Sequence, residues 1–390
     1  MLYRDSHKAK SPDPIVENSL IKVMPQENLR TWIEMASQLS SLGQMKPAQS
    51  EPPERRPNIM SIREIIHPSS PPLKPGQSAF DASGDSSHHG SRPLSIEKAA
   101  DYTENDRTYH EFHAGKYMLP NDEIEQDRLD FFHKALLEVT GKLIHVPLPP
   151  TGRFLDLGCG TGIWAIDLAK AYPEAVVVGV DLSPIQPSNS PQNCDFYAPF
   201  DFEFPWRMGS GFWDVIRLQM CSGSVTSWPE LYNQVFAHLR PGAWLEQLEI
   251  DLEPRCENRT KDGSALQYWY QSLKWATEVT LRPIHHRCNT TLSQLQKAGF
   301  TDIRHKQITL PLNQWHLRCQ KQHIGLWYGR VFFDSIEPLS LAPFTRILRW
   351  TPEEIHRLIT DVKTEVCNPN IHSFHVLHIY NARKPIHGCG

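Results

Sequence analysis

The stretch that decides the fold runs from residue 154 to residue 164 and reads Phe154-Leu155-Asp156-Leu157-Gly158-Cys159-Gly160-Thr161-Gly162-Ile163-Trp164. An apolar strand ends here in a turn with glycine at alternate positions, and a predicted helix follows. Glycine suits such a turn because the backbone bends sharply and a ligand must approach it without interference from a Cβ atom. The turn alone is weak evidence, since glycine also marks ordinary turns.

Two carboxylates make the turn more specific. Asp156 lies two residues before the first glycine, where it can reach the ammonium group of an amino acid. Asp181 ends the next predicted strand, 181 − 156 = 25 residues later, where it can accept hydrogen bonds from both hydroxyls of a ribose. The dinucleotide spacing G-x-G-x-x-G would require glycine at position 163, which is Ile163. A nucleoside that carries an amino acid and no pyrophosphate fits these features, and that ligand is S-adenosylmethionine.

Residues further along the chain are predicted to complete the site. Asp201 and Phe202 follow the third strand and are expected to bind the adenine amino group and cover its face, with an ordinary loop contact as the alternative. Arg217 leaves the fourth strand at the crevice where doubly wound folds bind ligands, with a surface charge as the alternative. The residues predicted to bind the cofactor are Asp156, Leu157, Gly158, Cys159, Gly160, Thr161, Gly162, Asp181, Leu182, Asp201, Phe202 and Arg217.

The wider pattern alternates strands with helices. The predicted strands are Arg153–Leu157, Val176–Val180, Cys194–Tyr197, Trp213–Leu218, Trp244–Leu248, Ile303–Leu310 and Val376–Ala382. Helices are predicted between most of them, at Ile163–Ala171, Trp228–Leu239 and Leu292–Ala298. This alternation indicates an α/β fold with a doubly wound, Rossmann-like parallel sheet. The last two strands are closer to an antiparallel pair, although a helical insert separates them.

Composition points to one folded domain and a polar tail. The chain has 390 residues, of which 32 are proline, and residues 1–100 contain many of these prolines among serine, glycine and histidine. This tail is predicted to be disordered, because it has too few apolar side chains to offset the entropy of ordering. Apolar clusters within 29–39 and 62–66 are either transient helix or docking segments that order on a partner.

Charge and cysteine content exclude several classes of function. The net charge of −4 does not favour a polyanion, so direct nucleic-acid binding through bulk charge is not expected. The eight cysteines contain no C-x-x-C pair, which is typical of free thiols in a reducing compartment. His285, His286 and Cys288 have no second ligand cluster at a matching spacing, so no metal site is predicted. Without a signal sequence or a membrane-length apolar run, we expect a soluble intracellular protein.

Several segments resemble class I methyltransferases and, more narrowly, the fungal LaeA-type methyltransferases that act with velvet proteins as global regulators of secondary metabolism. The similar segments are 154–164, 177–187, 193–206, 223–236 and 238–256, extended by 117–134, 340–350 and 376–385. The resemblance implies an S-adenosylmethionine-dependent methyltransferase domain over 101–385, with an antiparallel C-terminal strand. It also implies velvet-type partners and a nuclear location, with the cytoplasm as a second one. Arg217 departs from the family, where histidine is expected.

The methyl acceptor is the least determined part of the site. Methyl transfer depends mainly on positioning donor and nucleophile, so the lack of a catalytic triad does not argue against an enzyme. The resemblance implies self-methylation on a methionine, here Met220, whose thioether needs no base; an apolar lid of the pocket is the alternative role. Cys221 is a weaker candidate because its thiol must first ionise. A non-catalytic S-adenosylmethionine-binding scaffold and a small-molecule methyltransferase of a biosynthetic pathway remain alternative functions.

Overall fold

The computed structural model describes residues 101–147, 149–258 and 263–386, and its centre is a seven-stranded sheet. In chain order the strands are β1 Tyr102–Glu104, β2 Arg107–Tyr109, β3 Arg153–Leu157, β4 Val176–Val180, β5 Cys194–Tyr197, β6 Trp213–Gln219, β7 Leu239–Cys256, β8 Thr301–Pro311 and β9 Ser373–Arg383. Strands β1 and β2 form a separate antiparallel pair. The sheet order is β5-β4-β3-β6-β7-β9-β8.

Strand directions confirm the predicted fold class. Strands β3 to β7 are parallel to one another, whereas β9 is antiparallel to both β7 and β8. The helices are α1 Glu123–Thr140, α2 Ile163–Ala171, α3 Trp228–His238, α4 Ala265–Val279, α5 Cys288–Lys297, α6 Cys319–Pro343 and α7 Pro352–Cys367. Helices α6 and α7, joined by a short π-helix at Phe344–Leu348, are the predicted insert between the last two strands.

Strand β7 differs most from its sequence-based prediction. It spans 18 residues, Leu239–Cys256, whereas the apolar pattern predicts only Trp244–Leu248. Acidic residues end the apolar pattern, yet Glu246, Glu249 and Asp251 are all buried. Periodicity cannot show that these carboxylates are paired inside the protein, and for that reason the predicted strand ends too early.

Helices α4 and α6 pack aromatic side chains into a core against the sheet. Trp269 and Phe332 meet edge to face, with ring centroids 5.6 Å apart, and both are fully buried. Tyr328 belongs to the same core, whereas Trp275 is 55% exposed. Met220, at the end of β6, packs against this core, so the insert forms one wall behind the end of that strand.

Several sequence predictions lie outside the described residues. These are the disordered tail over 1–100 and its two apolar docking segments, so the division at residue 101 stays a prediction. Among the helices that are described, none is both long and apolar enough to cross a bilayer.

Candidate active site

The glycine-rich turn after β3 has the backbone that only glycine adopts at low cost. Gly158, Gly160 and Gly162 have φ angles of 71°, 56° and 79°, in the left-handed region that disfavours other residues. A Cβ on Gly158 would lie 3.5 Å from the ring of Phe202, within the cleft described below. The bare backbone therefore keeps this face of the turn open to a ligand.

The turn opens into a cleft at the carboxyl ends of the parallel strands. Its volume is about 1150 Å³, open solvent at its mouth included. The predicted residues that line it are Asp156, Gly158, Cys159, Gly160, Thr161, Asp181, Leu182, Asp201, Phe202, Arg217 and Met220. The exceptions are Leu157, which is fully buried in the core, and Gly162, where a Cβ would lie 2.4 Å from the Phe196 ring. These two residues pack against the protein interior and not against the cleft.

Asp181 holds the glycine-rich turn in place. Its Oδ2 accepts a hydrogen bond from the Gly160 N–H at 2.8 Å, and its Oδ1 accepts one from the Ser183 N–H at 2.9 Å. Each carboxylate oxygen keeps a second lone pair, which leaves capacity for ribose hydroxyls. Burial raises the pKa of Asp181 to about 6, although these backbone hydrogen bonds oppose the shift.

Arg217 is buried and lies between two carboxylates. Its Nη1 is 3.0 Å from Oδ1 of Asp156, and its Nε is 3.7 Å from Oε1 of Glu246. The guanidinium also stacks 4.2 Å from the ring centroid of Trp164. The surface-charge alternative is therefore wrong, since Arg217 is 4% exposed. When both carboxylates are ionised, the trio carries a net charge of −1, which favours a cationic ligand beside Asp156.

Burial opposes ionisation of both carboxylates in this trio. It raises the pKa of Asp156 above its ordinary value, with Arg217 acting in the opposite direction. It raises the pKa of Glu246 to about 7, again against the pull of Arg217. The negative charge of the trio therefore depends on pH near neutrality.

Residues 113–121 cover the cleft, and sequence reasoning assigned them no role in it. Oδ2 of Asp201 accepts hydrogen bonds from His113 Nδ1, at 2.8 Å, and from Lys116. Lys116 also pairs with Glu203 at 2.8 Å. Lys116, Tyr117, Pro120 and Asn121 line the cleft together with Leu129, Phe132 and His133 of α1. Only the resemblance of segment 117–134 pointed to this region, because the contacts join residues more than 80 positions apart.

Met220 lies where β6 leaves the sheet. It adopts a φ of 52°, unusual for a residue other than glycine, and its N–H donates to the Leu248 carbonyl at 2.9 Å. The next two N–H groups, of Cys221 and Ser222, donate to the Glu249 carboxylate at 3.0 and 3.2 Å. The two sets of bonds, both to β7, fix the turn that presents Met220 to the cleft.

Two ionisable groups beside Met220 have pKa values raised by burial. The pKa of Glu249 rises to about 7, although the hydrogen bonds from Ser222 and Cys221 act against this shift. The pKa of the Cys221 thiol rises well above its usual range, first because of burial and then because of the nearby Glu249. A protonated Cys221 is a poor nucleophile, which supports its lower rank as an acceptor.

This chain is similar to known proteins over most of its length. A model described as a methyltransferase domain matches residues 127–305. The secondary metabolism regulator laeA of Aspergillus flavus is 50% identical over 360 residues, which cover 88% of this chain and 98% of that protein. The chain belongs to the LaeA family. It is a methyltransferase whose cofactor is S-adenosylmethionine.

Two further comparisons cover a close and a distant protein. The protein-methionine methyltransferase laeA of Emericella nidulans is 58% identical over 287 residues, or 73% of this chain and 77% of that one. A Haemonchus contortus phosphoethanolamine N-methyltransferase, solved with S-adenosylhomocysteine, is 14% identical with a TM-score of 0.41, covering 68% of this chain and 57% of that one. The second likeness is too distant to support an inference about substrate.

The residues of the cleft fit S-adenosylmethionine. The open turn at Gly158 and Gly160 leaves room for the donor beside the backbone. The excess negative charge around Asp156 suits its ammonium group, and Asp181 has free lone pairs for the ribose. The individual contacts of each residue with the cofactor stay predictions.

Proposed function

We propose that this chain regulates secondary-metabolite gene expression as a methyltransferase that methylates its own Met220, in the nucleus and with velvet-type partners. Relatives named as secondary metabolism regulators support the regulatory part, and one named protein-methionine methyltransferase supports the methionine acceptor. The observation that carries the proposal is the position of Met220, which lines the cofactor cleft at the end of β6.

The chemistry suits a thioether. When bound, S-adenosylmethionine supplies a methyl group attached to a positively charged sulfur. A lone pair on the Met220 sulfur forms the new S–CH₃ bond while the bond to the donor sulfur breaks, and the positive charge passes to Met220. No proton is released, so no general base is required.

The surroundings of Met220 provide the positioning and the charge that this reaction needs. The hydrogen bonds from residues 220, 221 and 222 to β7 hold the turn in one conformation, and orientation of this kind supplies about 7–11 kcal/mol of a barrier at most. Glu249 lines the same apolar cavity as Met220. Its ionised carboxylate would stabilise a sulfonium product at short range.

The test is intact-mass and peptide-mapping mass spectrometry after incubation of the full chain with S-adenosylmethionine. We expect one methyl addition on the peptide that contains Met220 and no addition in a Met220→Leu variant. Met118→Leu is the matched control, because Met118 lies in the covering segment but does not line the cofactor cleft. An addition that persists in Met220→Leu, or no addition to the wild type, would contradict the proposal.

A small-molecule acceptor is the second candidate, and one cavity favours it. A second space, with a volume of about 700 Å³ that includes open solvent, adjoins the cleft at Met220 and is lined by Ile250, Tyr328, Phe332 and Glu249. With a pKa of about 7, Glu249 could take a proton from a hydroxyl or amine. Labelled methyl transfer to a fungal metabolite, lost in Glu249→Gln while cofactor binding remains, would favour this function over self-methylation.

A scaffold function predicts a different result. Gly158→Ala and Gly160→Ala place methyl groups on the turn that faces the cofactor. If regulation of metabolite genes survives in this double variant after calorimetry shows loss of cofactor binding, the chain acts through its partners alone. Co-purification with velvet-type proteins and imaging of the tagged chain test the proposed partners and location.

A further inference from the structure

A cysteine and two histidines converge where α5 meets the outer strands of the sheet, in a place remote in sequence from the cofactor turn. Cys288 is the first residue of α5, His305 lies on β8 and His378 lies on β9. One potential ligand atom from each of the three side chains lies within 4.8 Å of the other two. Sequence reasoning missed this group because β8 and β9 contribute one ligand each, from positions 73 residues apart.

The distances within this group resemble the edges of a tetrahedral metal site. Sγ of Cys288 is 3.6 Å from Nδ1 and 3.7 Å from Nε2 of His305. Nε2 of His305 is 3.0 Å from Nδ1 of His378. With Zn–S bonds of about 2.3 Å and Zn–N bonds of about 2.0–2.1 Å, tetrahedral angles place such atoms roughly 3.3–3.6 Å apart. The Cys288–His305 and His305–His378 distances differ from these values by a few tenths of an ångström, and the ligand atoms of Cys288 and His378 lie within 4.8 Å of each other.

The other ring nitrogen of His378 is buried. His378 is 4% exposed, and its Nε2 has no hydrogen-bond partner among the residues that the structure describes. Buried polar atoms are nearly always satisfied by protein, water or an ion. A zinc ion bound through Nδ1 would leave Nε2 as an N–H group, and a water molecule would then be the partner of this nitrogen.

We propose that Cys288, His305 and His378 bind a zinc ion. One thiolate with imidazole ligands is a donor set that zinc accepts readily. The fourth position is open to water, and His286 is adjacent, with its ring centroid 4.9 Å from that of His378. Tyr380, whose hydroxyl is 2.8 Å from His286 Nε2, holds that ring in place.

The ion would connect the edge of the sheet to the cofactor cleft. Strand β8 is the outermost strand, and Cys288 begins the helix that follows the segment 282–287. This segment contacts the loop after Met220, because Arg282 donates to the Ser224 carbonyl at 3.2 Å and Gly223 donates to the Pro283 carbonyl at 3.1 Å. Ser224 lines the cofactor cleft. Bound zinc would thus hold α5, β8 and β9 together and, through the segment 282–287, stabilise the loop at Ser224 that lines the cleft.

The full chain is treated with a chelator and then titrated with Zn²⁺ and, separately, with Co²⁺. The absorption spectrum of bound Co²⁺ shows which kinds of ligand hold the ion. We expect one equivalent of zinc per chain, a thiolate-to-cobalt charge-transfer band, and a higher Tm with zinc. Cys288→Ser and His305→Asn should each weaken binding at least tenfold and abolish the charge-transfer band or alter the visible bands. Cys319→Ser and His356→Asn, at exposed positions, should bind as the wild type does.

The variants also separate loss of metal from loss of fold. His305 lies half-exposed on an edge strand, so His305→Asn should match the circular dichroism of the metal-free wild type. Absence of zinc binding by the wild type would overturn the proposal and leave His305 and His378 as a hydrogen-bonded pair. Equal binding by the wild type, Cys288→Ser and His305→Asn would overturn it as well, since the ion would then lie elsewhere.

Discussion

Replacing Arg217 by glutamine should destabilise the fold, and the size of the loss should depend on pH. The guanidinium is the cation that faces both Asp156, at 3.0 Å, and Glu246, at 3.7 Å. Glutamine keeps a polar side chain of similar reach but removes the charge. Two buried carboxylates are then left to repel each other without compensation.

The geometry sets the expected magnitude. At an effective dielectric constant near 20, unit charges at these two distances attract by about 5.5 and about 4.5 kcal/mol, before the cost of burying them is subtracted. Removing one partner of a buried ion pair costs about 3–5 kcal/mol. We therefore expect the free energy of unfolding to fall by about 3–5 kcal/mol at pH 8. At pH 6 the variant should regain about 1–2 kcal/mol relative to the wild type, because its carboxyls can bind protons instead.

Urea unfolding of both proteins at pH 6 and pH 8 measures these differences. Arg304→Gln is the matched control, since Arg304 forms an exposed ion pair with Asp302 and should change stability by less than about 1 kcal/mol. Adding Asp156→Asn to Arg217→Gln should recover part of the loss by removing one unpaired charge. A loss below about 1 kcal/mol at pH 8, or a loss that is equal at both pH values, would refute the electrostatic reasoning.

Two further predictions concern the cofactor cleft. Gly162→Ala should lower the free energy of unfolding by about 2–5 kcal/mol, because alanine is strained in the left-handed region and its Cβ overpacks against Phe196. Gly158→Ala should lower it by only about 1–2 kcal/mol but should weaken cofactor binding at least tenfold. Thermal unfolding measures the change in stability, and calorimetry measures the change in binding. The affinity for S-adenosylmethionine should rise between about pH 5.5 and pH 7, because Asp181, with a pKa of about 6, ionises in this range. A constant affinity over this range would contradict the prediction. So would an Asp181→Asn variant whose affinity changes with pH as much as that of the wild type.

The local sequence pattern predicts many of the strands and helices, but it does not predict every element boundary. Strands β3, β4 and β5 and helix α2 begin and end at the predicted residues, because continuous apolar runs bounded by turns are a local signal. The predicted cofactor residues follow strands whose carboxyl ends must meet in a parallel sheet, so most of them line one cleft. The carboxyl-terminal part of β7 is not predicted, because its buried carboxylates give the sequence the polar pattern of an exposed segment.

Pairings between distant residues could not be predicted in the same way. The bond from Arg217 to Asp156 spans 61 positions, and that from His113 to Asp201 spans 88 positions. The first depends on the register of β3 against β6, which places Asp156 opposite Arg217, and the second depends on which loop covers the cleft. Neighbouring residues in the sequence do not carry this information. The cluster of Cys288, His305 and His378 has the same origin, since the antiparallel pairing of β8 with β9 brings its histidines together.

The buried acids of β7 make folding a proton-uptake reaction. Burial raises the pKa of Glu246 and of Glu249 to about 7, against about 4.3 for glutamate in an unfolded chain. Between these values the folded chain holds protons that the unfolded chain releases, so the contribution of these two groups to stability falls as the pH rises from about 4.3 to about 7 and is constant above that. Asp181 acts in the opposite sense on ligand affinity, which improves as pH rises. Below about pH 7 these two glutamates and Asp181 therefore give stability and cofactor affinity opposite pH dependences.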